Sequence, residues 1–83
     1  MYYVYVLEST TTHSYYIGCT DNLPRRFKEH SSNSGHRYTR NKGPWLLKYS
    51  EEYLSLSEAR DRERQIKAWK KRAAIEKLIA VIV

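Results

Sequence analysis

Apolar and polar positions change their period along this chain, and the changes mark out its elements. The opening run Met1-Tyr2-Tyr3-Val4-Tyr5-Val6-Leu7 is dense in aromatic and β-branched side chains, which suit a pleated surface, and predicts a first strand over roughly residues 2–8. A polar segment, Glu8 to Ser14, separates it from a second such run at about residues 15–19. So short a polar link predicts an antiparallel hairpin, in which Tyr5 and Tyr16 can share a sheet face if the register allows. Gly18 is expected to let the backbone make a close turn. Asp21 or Asn22 is a suitable N-cap and Pro24 is tolerated in a first helical turn, so a helix follows. Its inward face, at the i, i+3, i+4, i+7 spacing, holds Leu23, Arg26, Phe27 and His30.

From Ser31 to Pro44 the residues are those of a loop, closed by the breaker Gly43-Pro44. Trp45 to Tyr53 predicts a third strand. Ser55 or Ser57 then caps a helix reaching about Lys70, and Ser55-x-x-Glu58 has capping-box spacing. The inward stripe of that helix is Ala59, Glu63, Ile66 and Trp69 or Lys70. Ile75, Leu78, Ile79 and Ile82 form a last helical stripe, expected to pack back on the sheet or on the preceding helix.

Two stripes are interrupted by charge. Arg26 and His30 lie on the face that Leu23 and Phe27 would bury, and a polar group buried without a partner is costly. A phosphate would satisfy them: Arg26 through its rigid fork, His30 by titrating near neutral pH. The alternative is an Arg that snorkels to water and a His that caps the helix end. Glu63 interrupts the second stripe. It calls for a divalent cation or a salt bridge to Arg26, Arg60 or Lys67, unless it sits at the margin of the stripe.

Length, charge and cysteine usage narrow the class. The 83 residues suit one domain, residues 1–83, with one modest core. A net charge of +6 favours an acidic partner, nucleic acid first. No apolar run is long enough to span a bilayer, and no secretory pattern opens the chain, so a cytoplasmic location without a membrane partner is expected. A single cysteine, Cys19, excludes an internal disulfide and suits a reducing compartment; it is expected to be structural. No Cys/His cluster has zinc spacing. Basic residues with an interleaved aromatic suit a nucleic-acid backbone, which makes Arg25, Arg37, Tyr38, Arg40 and Lys42 candidate contacts. Arg60, Arg62, Arg64, Lys67, Lys70, Lys71 and Arg72 read mainly as a solvated face, part of which extends that surface.

Tyr3-Val4-Tyr5, then Tyr16-Ile17-Gly18, Arg26, His30 and Glu63, together with Asp-Asn-Leu-x-x-Arg-Arg-x-x-x-His and Glu-Arg-Gln-Ile-Lys-x-Trp, resemble the GIY-YIG nuclease family over nearly the whole chain. The closest likeness is to its small stand-alone bacterial members. The first triplet departs from the family pattern, with Tyr3 and Val4 standing for Gly and Ile. The resemblance implies an α+β fold, a three-stranded antiparallel sheet flanked by helices. It also implies an endonuclease that hydrolyses DNA phosphodiester bonds with Mg²⁺ or Mn²⁺, in a process such as DNA repair. By this resemblance Tyr16 helps take a proton from the attacking water, and Tyr5 orients the water or the phosphate. Arg26 stabilises charge on the phosphate, His30 assists the tyrosine or a phosphate oxygen, and Glu63 holds the metal. A free phenol, with a pKa of about 10, is a poor base at pH 7, so Arg26 and the metal are expected to lower it. The DNA could be structured or single-stranded. The altered triplet favours an alternative, a catalytically weak nucleic-acid-binding module of the same fold.

Overall fold

The computed structural model describes residues 1–31 and 44–80, with the backbone alone for His30 and Ser31. Its elements in chain order are β1 (Tyr2–Ser9), β2 (Tyr15–Thr20), α1 (Leu23–Ser31), β3 (Trp45–Tyr53), α2 (Leu56–Trp69) and α3 (Arg72–Ala80). The three strands make one antiparallel sheet in the order β2-β1-β3. The most apolar strand is therefore the central one, covered on both faces. Val4 and Val6 are fully buried, as are Leu7 and, nearly so, Tyr5.

Alternation along β1 divides the core into two layers. Val4 and Val6 turn to one face, where they join Ile17 and, from the helices, Ala59, Ile66 and Ile75. Tyr5 and Leu7 turn to the other, where Trp45 completes a buried cluster and Leu23 and Phe27 of α1 pack over it. Each fully buried Val or Ile contributes roughly 1.5–3 kcal/mol, so the layers are stabilised largely by β1 and its two coverings. A register shift between Val6 and Leu7 marks an irregularity in the β1–β3 pairing.

The helix boundaries follow their caps. Asn22 Oδ1 accepts from Arg25 N at 3.1 Å and starts α1. Ser55 Oγ accepts from Glu58 N at 3.2 Å and donates to Glu58 Oε1 at 3.0 Å, so the expected Ser55–Glu58 capping pair is present. Lys70 adopts a left-handed conformation, φ 53°, which ends α2 and takes it out of the inward stripe in favour of Trp69. Along α3, Ile75 is buried and Leu78 and Ile79 pack on the same layer, while Ile82 lies outside the described residues. Gly18 corrects one expectation. It makes no turn: it sits within β2, opposite Tyr5, at negative φ.

Candidate active site

At the β2 edge of the sheet the side chains leave a cavity of about 270 Å³. Tyr5 enters it from β1, and Tyr16, Gly18 and Cys19 from β2; Arg26 comes from α1, and Arg60, Glu63 and Lys67 from α2. The hairpin register brings the phenols together. Tyr5 pairs with Gly18 and Leu7 with Tyr16, so Tyr5 and Tyr16 lie on one face, two positions apart. Their rings are 6.3 Å apart between centroids and tilted by 40°.

Gly18 is required by this arrangement. A Cβ at position 18 would stand 2.5 Å from Tyr5 Cζ, closer than real carbon contacts allow. The bare backbone of β2 is what lets the Tyr5 phenol reach the cavity.

Arg26 projects from the margin of the apolar face of α1. Its Nε is buried and has no hydrogen-bond partner among the described residues; Glu29 Oε1 approaches it only to 3.6 Å. Glu63 is one-fifth exposed, and its Oε2 lies 2.6 Å from Lys67 Nζ, one turn along α2. Of the three cations expected to pair with Glu63, Lys67 is the one that does.

Burial sets the protonation of the phenols. It pushes both Tyr5 and Tyr16 above the ordinary tyrosine value, and Glu63 adds to the rise in each. Arg26 pulls both down and Lys67 pulls Tyr16 down, yet burial outweighs them. Of the two charges expected to lower these pKa values, Arg26 and a metal, Arg26 acts in that direction, and burial outweighs it. Burial likewise raises the Cys19 thiol, with Glu63 reinforcing it and Arg60 opposing it.

Tyr5, Tyr16, Arg26 and Glu63 are therefore gathered around one cavity. His30 follows Arg26 by one turn of α1, and its side chain lies outside the described atoms. Arg25 is not in the cavity: it is exposed and 3.5 Å from Asp21 Oδ1. Arg37, Tyr38, Arg40 and Lys42 lie outside the described residues. Cys19 was expected to be structural; it packs on the α2–α3 side of the core and also lines the cavity, because β2 is an edge strand. Cys19, Arg60 and Lys67 line the cavity although none was expected there; for Lys67, the i, i+4 spacing from Glu63 is the signal that marks it.

The donor set bears on a metal. Among the described residues no three His, Cys, Asp or Glu side chains cluster to form a protein cage. One carboxylate in a roomy, polar cavity does fit Mg²⁺ or Mn²⁺, which are commonly held by one or two carboxylates plus water and substrate phosphate. Among the described residues no helix is long and apolar enough to cross a membrane.

Comparison with known proteins bears on the chain as a whole. The family model described as "GIY-YIG catalytic domain" matches residues 1–77. A UPF0213 protein of Natronomonas pharaonis is 42% identical over 79 residues, 95% of this chain and 91% of the relative. One from Halobacterium salinarum is 42% identical over 67 residues, covering 81% and 86%. The solution NMR structure of a UPF0213 protein from Bacillus halodurans superposes with a TM-score of 0.61 at 36% identity, over 98% of this chain and 85% of that one.

Proposed function

Because the chain belongs to the GIY-YIG family, we propose that it is an endonuclease that hydrolyses DNA phosphodiester bonds at the Tyr5–Tyr16–Arg26–Glu63 cavity. The observation that carries this reading is the buried Arg26 Nε, without a hydrogen-bond partner among the described residues and on the same cavity as two phenols and a carboxylate. A buried donor of this kind calls for an acceptor, and a phosphate oxygen supplies one.

In this reading the Arg26 fork binds the phosphate and gains strength as negative charge develops on it. Tyr16 is within the cavity with Lys67 and Arg26, the two charges that favour its ionised form, and takes the proton of the attacking water. Tyr5 is the more deeply buried phenol and stays neutral, so its hydroxyl serves to orient the water or a phosphate oxygen. His30, one turn beyond Arg26, assists at the same phosphate. Glu63 would hold Mg²⁺ or Mn²⁺, which supplies charge neutralisation and a more acidic bound water. Arg25, Arg37, Tyr38, Arg40 and Lys42 would contact the DNA backbone.

One observation favours the second reading, a catalytically weak binding module. Glu63 Oε2 is held by Lys67 Nζ at 2.6 Å, a pair that a metal would have to displace. Single-turnover cleavage of labelled DNA with Mn²⁺ separates the two. Arg26→Ala should slow the wild-type rate by roughly 10²–10³-fold. A wild-type protein that binds but never cuts supports the module. Equal cleavage by wild type and Arg26→Ala overturns the assigned site.

A further inference from the structure

The basic residues of α2 and α3 separate by what they touch. Arg62 is committed to Glu51, to which Nε and Nη2 donate at 3.0 and 3.1 Å. Arg72 is committed to the β1–β2 hairpin: its guanidinium lies 4.5 Å from the Tyr15 ring centroid, and Nη2 is 3.4 Å from Glu8 Oε2. Arg60, Arg64 and Lys67 have no such duty to the fold. Their spacing puts them on one stripe of α2, to the side of the buried Ala59 and Ile66.

With Glu63 these three line a second cavity of about 220 Å³, every lining side chain of which is charged. Arg60, Glu63 and Lys67 also line the cavity that holds the phenols. The two hollows are thus one groove, running from Tyr5 and Tyr16 along α2 to Arg64. Lys67 offsets Glu63, which leaves Arg60 and Arg64 as the groove's net charge. Among the described residues Arg60 makes no ion pair. Arg64 approaches Asp61 to 3.7 Å, but both are about three-quarters exposed, and a pair of that kind holds its members weakly.

We propose that this groove is a subsite for two further nucleic-acid phosphates, next to the reacting one and held in turn by Arg60 and Arg64. The proposal rests on the nuclease reading for the position of the first phosphate. Two guanidinium forks about one helical turn apart, ~6 Å, present rigid paired donors to successive phosphates of one strand. No aromatic or aliphatic residue lines the second cavity. Its contacts are therefore to the backbone, and it binds without regard to base sequence.

The test is fluorescence anisotropy with labelled oligothymidylate and oligoadenylate, in EDTA, over a series of salt concentrations. It compares the wild type, the double variant Arg60→Ala/Arg64→Ala, and Lys77→Ala on α3 as a control. Each phosphate contact on a single strand contributes about 0.7 to the slope of log K against log salt, so the double variant should lose about 1.4. It should also bind both oligonucleotides several-fold more weakly at low salt, while Lys77→Ala matches the wild type. Thermal melting checks that the double variant is folded, as expected for two exposed residues. A folded double variant with the wild-type slope overturns the subsite, and so does wild-type protein that binds neither oligonucleotide. Since EDTA suppresses hydrolysis, intact binding without cleavage in Mn²⁺ overturns the nuclease reading alone.

Discussion

The Tyr5 phenol occupies the space that a side chain at Gly18 would need, across the β1–β2 pair. A Cβ there meets the Tyr5 ring rather than the end of a flexible chain. Gly18→Ala should therefore displace Tyr5 from the cavity and cost about 1–3 kcal/mol through overpacking. Cleavage should fall at least about tenfold, since misplacement by an ångström is enough to disturb a reacting geometry. Thermal melting and single-turnover cleavage of the variant check both parts; wild-type values for both would contradict this role of Gly18.

The phenols titrate high because they are buried, and this fixes the direction of the pH dependence. If Tyr16 takes the proton of the water, only its ionised fraction is active, and that fraction grows as pH rises toward its raised pKa. Cleavage should increase about tenfold per pH unit from pH 6 to 8. Tyr16→Phe should be slow and flat over the same range. A Tyr16→Phe profile parallel to the wild type would assign the proton to another group.

Lys67 and a divalent cation compete for one carboxylate. Lys67 Nζ is 2.6 Å from Glu63 Oε2, so metal binding must draw Glu63 away from it. Lys67→Met should tighten Mn²⁺ binding by about twofold, in line with the ~0.3–0.5 kcal/mol of such helical pairs. Calorimetry with Mn²⁺ reads this without any turnover. Weaker Mn²⁺ binding by Lys67→Met would mean that Lys67 supports the metal rather than opposing it.

A second charged cluster governs stability. Glu51 accepts from Tyr49 Oη, from Tyr53 Oη at 2.6 Å and from Arg62 Nε and Nη2. Burial works to raise the Glu51 carboxyl, but the hydrogen bonds from Arg62, Tyr49 and Tyr53 hold it below its ordinary value of 4.5. Burial, then the bond to Glu51, pushes Tyr49 up from 10.0 to about 12. A lowered carboxyl stabilises above its unfolded pKa, and that stability is lost as pH falls through the folded value. A raised phenol stabilises below its unfolded pKa, and that stability is lost as pH climbs from 10.0 toward 12. This cluster's contribution should therefore be level between about pH 5 and pH 9 and decline on both sides. Glu51→Gln should cost about 1–3 kcal/mol at pH 7 and shrink the acid limb in urea denaturation. An acid limb as steep as the wild type's would remove Glu51 from the account.

The sheet was legible because its signal is local. Tyr2–Leu7 and Tyr15–Thr20 are dense in β-forming side chains, and the polar link between them sets a hairpin. The first helix and the capping pair Ser55–Glu58 were legible for the same reason. What the sequence concealed depends on register and depth. Gly18 looked like a turn residue because glycine's commonest use is conformational, whereas here it makes room for a ring from the next strand. The raised phenols could not be foreseen either, since the charge of Arg26 is visible in a sequence and burial is not. The Glu51 cluster depends on the fold, which brings Arg62 of α2 to the strand that carries Tyr49, Glu51 and Tyr53.

Metal-dependent hydrolysis through Glu63 is decided by a direct comparison of two proteins. Purified wild type and Glu63→Ala are incubated with labelled single-stranded, duplex and branched DNA, each with Mn²⁺ and with EDTA. Cleavage of at least one substrate by the wild type in Mn²⁺, abolished both by EDTA and by Glu63→Ala, is the predicted result. Cleavage that persists in Glu63→Ala, or no cleavage of any substrate by a wild type that binds DNA, would contradict it.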